Sequence, residues 1–141
     1  QLYTLGSLCN AADLMTIARI FALALLGSLL SGCTTTTITN LTPTQQPRNA
    51  NGLYPLEAAW DSRQQSLRKE SIRPYVIIGA ESYPMQPAPV LKNRWETLIP
   101  VPADKKFVYY QFKFDFLYNS IPQPRASSQL SPPHKLEIID K

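Results

Sequence analysis

One histidine and two cysteines are present in 141 residues, too few for a metal set at zinc-ligand spacing. No Gly-x-Ser-x-Gly, phosphate loop or spaced His/Cys set occurs, so no metal and no cofactor is expected. His134 follows Pro132-Pro133 and reads as a loop residue rather than a general base. Charge is also sparse, 17% of residues with a net +4, and it does not gather. Arg68-Lys69 and Lys105-Lys106 each sit beside an acid, Glu70 and Asp104. A nucleic-acid reader collects its cations on one face, which this dispersal argues against. Thirteen prolines against five glycines break the chain too often for long helices.

Long apolar runs are scarce as well. Ile20 to Leu30 (IFALALLGSLL) carries no charge, follows Arg19 and ends at Ser31-Gly32-Cys33. A membrane-spanning helix needs about 20 apolar residues, whereas a charged start, about 7 to 15 apolar residues and a small-residue ending make a secretory leader. Packed all round as a core helix, the run would need more protein than a chain this size supplies.

Leu30-Ser31-Gly32-Cys33 resembles the lipobox of bacterial lipoproteins. The resemblance implies a diacylglyceryl group on the Cys33 thiol and signal-peptidase cleavage between Gly32 and Cys33. It also implies an outer-membrane destination, because Thr34 stands where an aspartate commonly marks inner-membrane retention. A start at Met15 places a short basic segment, the apolar stretch and the lipobox in order. Residues 1–14 then read as an upstream extension, 15–32 as a signal peptide with a helical apolar stretch, and 33–51 as a Thr/Asn/Pro-rich tether with a candidate first strand at Thr37 to Leu41. Asn40-Leu41-Thr42 matches a glycosylation acceptor, an accidental match behind a bacterial leader. The mature chain, without Cys9 and with Cys33 capped, has no thiol for a disulfide.

From 52 to 141 the dominant period is two. Leu53 to Asp61 puts Tyr54, Leu56, Ala58 and Trp60 on one face, and Pro55 marks an edge or a bulge. Arg63 to Glu70 reads as a polar loop or helical turn. Tyr75 to Ile78 is an apolar strand ended by Gly79, Ser82 to Val90 is a proline-punctuated connection, and Arg94 to Ile99 aligns Trp95, Thr97 and Ile99. In Phe107 to Tyr118, Tyr110, Phe112, Phe114, Phe116 and Tyr118 face one way and Gln111, Lys113 and Asp115 the other, a pattern only a strand keeps together. Lys135 to Asp140 closes the chain with Leu136 and Ile138 inward.

The expected fold is all-β: an antiparallel sandwich of about six to seven strands preceded by the signal helix. From Ile38 to Asp140 the order of elements is similar to that of immunoglobulin-like and fibronectin-type sandwiches. It departs from antibody domains in having no cysteine pair, no tryptophan in the Pro74 to Gly79 strand, and no aspartate four residues before a tyrosine. A small barrel or jelly roll fits the same spacing.

Three functions fit this pattern. The first is a non-catalytic binding or assembly module for an envelope protein partner, contacting it through Tyr83, Pro84, Met85 and Pro87 in a stiff, exposed connection. The second is a glycan- or cell-wall-binding module using Trp95 or Tyr118; the aromatic row itself reads as core. The third, an enzyme built on His134 or on Glu57, Asp61, Glu81, Glu96 or Asp115, ranks last, since the spacing of these acids in sequence says nothing of the separation a glycosidase pair needs.

Overall fold

A computed structural model describes residues 36–140. The leader at 15–32, the Gly32-Cys33 cleavage site and the signal helix lie outside the described residues. Within them the chain forms β1 (Thr36–Asn40), β2 (Gln45–Pro47), β3 (Leu53–Ser62), β4 (Leu67–Ile78), β5 (Glu81–Pro84), β6 (Gln86–Pro87), β7 (Arg94–Pro100), β8 (Phe107–Tyr118), β9 (Arg125–Leu130) and β10 (His134–Ile139). One sheet runs β1-β3-β7-β6 and the other β2-β10-β8-β4-β5, with β9 also on β8. This is the immunoglobulin-like order, with β1, β3, β7 and β6 in the places of that fold's strands A, B, E and D and β4, β8 and β10 in those of C, F and G. Among the described residues neither a closed barrel nor a jelly roll is formed.

Period two decides which side chains meet between the sheets. Tyr54, Leu56, Ala58 and Trp60 of β3 face Tyr110, Phe112, Phe114 and Phe116 of β8, and Val76, Ile99, Leu136 and Ile138 complete the buried core. Trp60 stacks on Phe114 with centroids 5.5 Å apart and planes 6° from parallel. These two strands are the pair that a disulfide joins in antibody domains. Here the join is made by aromatic rings, as a chain without that cysteine pair requires.

Two local expectations are corrected, and one strand is new. In the 33–51 segment the candidate first strand at Thr37 to Leu41 is present as β1, paired antiparallel with β3, and the chain after it, expected as tether, holds a second strand, β2, parallel to β10. Few apolar residues suffice because an edge strand needs only one inward side chain, and Ile38 supplies it. Buried Thr42 and Gln46 add polar stitches, Thr42 Oγ1 to Glu57 O at 3.2 Å and Gln46 Nε2 to Pro55 O at 2.9 Å. Asn40 of the apparent glycosylation triplet is used in packing, donating to Tyr110 Oη at 3.0 Å.

The expected loop at 63–70 is half strand. β4 begins at Leu67, pairs with the end of β8, then shifts register between Arg68 and Arg73. At that bulge the Ser71 hydroxyl donates to Arg68 O at 2.6 Å and accepts from Leu117 N at 2.8 Å. A side chain thus closes the ladder where the backbone has left it, and alternation disappears there. A strand that the sequence did not announce is β9, RASSQL, whose pairing with β8 has no apolar alternation behind it.

Pro55 lies inside β3, between β1 and β7, yet its missing N–H costs nothing. Glu57, two residues on, turns its N–H and C=O toward the β1 side, to Thr42 Oγ1 and Leu41 N. Pro55 shares that orientation, and β1 pairs only with Ala58 to Ser62.

The two ends of the sandwich differ. Thr36 enters beside Ser62, at the end carrying loops 63–66, 88–93 and 119–124. Gln129 Nε2 to Thr36 O at 2.9 Å and Asn119 N to Ser66 O at 2.7 Å close that end. Loops 48–52, 79–80 and 101–106 form the opposite end, together with Asp140.

Candidate functional site

At the end opposite Thr36 a groove of about 620 Å³ opens between the β4–β5 turn and the β7–β8 loop. Ile78, Tyr83, Val101 and Val108 line it with apolar surface, Phe107 and Tyr109 flank it, and Glu81, Asp104, Lys105 and Lys106 add charge of both signs. Each wall has a local cause. Ile78 pairs with Glu81 across Gly79-Ala80, and Gly79 takes φ 58° at the first central position, as a two-residue hairpin turn of this kind demands. No atom lies within 4 Å of where its Cβ would stand, so backbone conformation, not space, calls for glycine.

The β7–β8 loop is tied down. Val101 N donates to Gly52 O at 2.8 Å, Lys105 N to Pro102 O at 3.0 Å, and Ile138 N to Lys106 O at 2.7 Å. Arg48 reaches over from the β2–β3 connection to donate to Ala103 O at 2.9 Å while its guanidinium pairs with Asp140. A wall fixed in advance loses less conformational entropy when something binds to it.

Phe107 and Tyr109 are 48% and 59% exposed, on the outward face of the strand whose alternate residues form the core. Their rings meet edge to face at 5.5 Å, and Lys135 Nζ lies 4.9 Å from the Phe107 centroid. Exposed aromatics fixed against one another supply contact area at low entropic cost. Tyr83 donates its hydroxyl to the Glu81 carboxylate, and that bond, with some desolvation, raises the phenol pKa above its ordinary value.

The expected contact segment is split by the fold. Tyr83 is half-buried and lines the groove; Pro84 and Pro87 are exposed on a different depression, shared with Trp95. Met85 is not exposed: its side chain is in the core, because the chain crosses between the sheets there, with Met85 N held by Pro74 O at 3.0 Å. Trp95 is half-buried edge-on to Phe114 at 6.5 Å. Tyr118 is also half-buried, between its partners Leu67 and Arg125. Sequence reasoning did not single out Phe107 and Tyr109, although two aromatics on the polar face of the strongest strand were a visible signal.

His134 is no loop residue. It opens β10 on the inner face, its ring 5.6 Å from Tyr110 and 5.9 Å from Phe112, with Nε2 buried and without a hydrogen-bond partner. Desolvation lowers its pKa below the ordinary value. Glu57 pairs with Arg94 at 3.2 Å, and Asp61 accepts from Asn93 Nδ2 at 3.0 Å. Burial would raise the Asp115 pKa, but hydrogen bonds from Ser128 and Lys113 outweigh it and the carboxyl titrates low. Among the described residues no group of three or more His, Cys, Asp or Glu stands at metal-binding distance.

No family model matches the sequence, and no curated protein matches it. Among solved structures, one of murine CRIg is similar at 9% identity with a TM-score of 0.40, covering 76% of this chain and 98% of that one. A similarity of that size adds nothing to what the strand order gives.

Proposed function

We propose that this chain is a lipid-anchored protein of the bacterial cell envelope, attached to the outer membrane through Cys33, whose sandwich is a non-catalytic docking module for an envelope protein partner. The anchor is supported by the Leu30-Ser31-Gly32-Cys33 motif behind its apolar stretch. One observation carries the docking role: Phe107 and Tyr109 stand exposed beside a pre-shaped apolar groove rimmed by both signs of charge. Aromatic anchors at an apolar centre with a charged rim are the anatomy of a protein interface.

Photo-crosslinking in the native host, from a reactive residue at position 109, tests this role. A discrete adduct that is absent when the probe sits at Leu98, on the outer face of the other sheet, supports it. Monomer alone from position 109 overturns it. A glycan reading draws on the same Phe107–Tyr109 pair, a surface on which a sugar ring stacks. Cell-wall pulldown that weakens in a Tyr109→Ser variant, without a protein adduct, selects that reading instead.

A further inference from the structure

The end of the sandwich where Thr36 enters has its own surface chemistry. Val90 and Ile121, at the tips of loops 88–93 and 119–124, are 102% and 94% exposed, and Leu91 beside Val90 is 49% exposed. Val90 also holds φ 68°. A β-branched residue in the left-handed region is strained, and one left fully in water recovers nothing from burial. Conformational cost and apolar exposure thus coincide at one loop tip.

Three cations stand in or beside the loops of this end. Arg63, Lys92 and Arg125 are exposed in or beside the loops at 63–66, 88–93 and 119–124. The acids nearby, Asp61 and Glu70, are fewer than the cations; Glu70 lies 3.8 Å from Arg68, and Asp61 accepts from Asn93 Nδ2 at 3.0 Å. Apolar tips within a basic rim match a bilayer surface, where apolar side chains enter the headgroup boundary and Lys and Arg meet anionic lipid.

Chain length makes that match geometric. Cys33 precedes Thr36 by a reach of about 10 Å for an extended chain, because β1 has taken the rest of the apparent tether into the fold. A domain held so close to its anchor has its entry end at the lipid surface. We infer that the loops at 88–93 and 119–124 seat this end on an anionic bilayer through Val90, Leu91 and Ile121, with Arg63, Lys92 and Arg125 on the headgroups. The opposite end, with the Phe107–Tyr109 groove, then points away from the membrane. The inference rests on Cys33 being the lipid attachment point.

An environment-sensitive fluorophore tests it on the full chain. Val90→Cys, Ile121→Cys and, at the far end, Lys105→Cys are produced in the native host, checked by intact mass, labelled and reconstituted in vesicles of phosphatidylcholine and phosphatidylglycerol. The substituted residues are exposed, so the fold does not depend on them. Lipidated chains are expected to show blue-shifted emission at 90 and 121, quenched by nitroxide lipid, and aqueous emission at 105. Lipidated chains with aqueous emission at all three positions, or with the shift at 105 alone, overturn the inference and leave the anchor standing. Chains of unmodified mass overturn the anchor and the inference together.

Discussion

The Asn40 side-chain amide donates to Tyr110 Oη at 3.0 Å, joining residues seventy apart in sequence and lying in opposite sheets. Thr42 N donates to Asn40 Oδ1 at 3.0 Å, so the same side chain fixes the crossing from β1 to β2. The bond is part-buried, and its loss strands a phenol whose pKa desolvation already raises. Tyr110→Phe and Asn40→Ala are each expected to cost about 1 kcal/mol. The double variant should cost less than the sum, which a urea-unfolding cycle measures.

Trp60 is the stacked aromatic link between the sheets, beside the edge-on contact of Trp95. Its truncation to alanine is expected to cost about 3 to 5 kcal/mol, since it removes contacts with both Phe114 and Phe116. Trp60→Phe should cost far less, because the indole Nε1 has no hydrogen-bond partner to lose. Thermal unfolding of the two variants separates ring stacking from polar contribution.

His134 gives the fold a specific acid weakness. Burial against Tyr110 and Phe112 lowers its folded pKa below the ordinary 6.5, so below that pH the unfolded chain binds more protons than the folded one. Its contribution is complete above pH 6.5 and declines as pH falls through that value toward the folded pKa. His134→Phe should flatten the fall in melting temperature between neutral and mildly acidic pH while leaving the carboxylate-driven loss at lower pH in place. An unchanged profile would show that the ring is solvated.

Residues 36–47 are expected to be indispensable. A chain that begins at residue 52 loses β1 and β2, leaving β3 and β10 each with one neighbour instead of two. It should lose cooperative thermal unfolding, read by circular dichroism. A melting temperature equal to that of the full chain would mean that these residues are tether after all.

Tyr109→Ser should leave stability within about 0.5 kcal/mol, as exposed positions do. It should weaken the crosslinked partner about thirty-fold in Kd if Tyr109 is an anchor worth about 2 kcal/mol. Urea unfolding measures the first arm, and partner titration against the purified chain the second.

How much of this was legible in sequence depends on how many neighbours each strand has. β3, β8 and β10 put a full row of side chains into the core, and their alternation showed faces and near-final bounds. β1 and β2 contribute Ile38 and Gln46 and little else inward, so β1 showed only as a short candidate strand and polar composition hid β2 as tether. β9 owes its place to backbone pairing with β8, and its RASSQL sequence has no period to read. Around the site, Tyr83 was found because prolines set it off. Met85 was misplaced because the crossing between sheets turns it inward, a tertiary event. Phe107 and Tyr109 were overlooked because the inward row of the same strand already explained its aromatic content.

The central claim, a docking domain held at the envelope by Cys33, is tested most directly by the intact mass of the mature chain from its host's membrane fraction, beside a Cys33→Ala variant. The account predicts a chain beginning at Cys33 that carries diacylglyceryl and acyl groups, with the modification absent from the variant. A membrane-derived chain that keeps Ile20 to Leu30 and has no added lipid contradicts it.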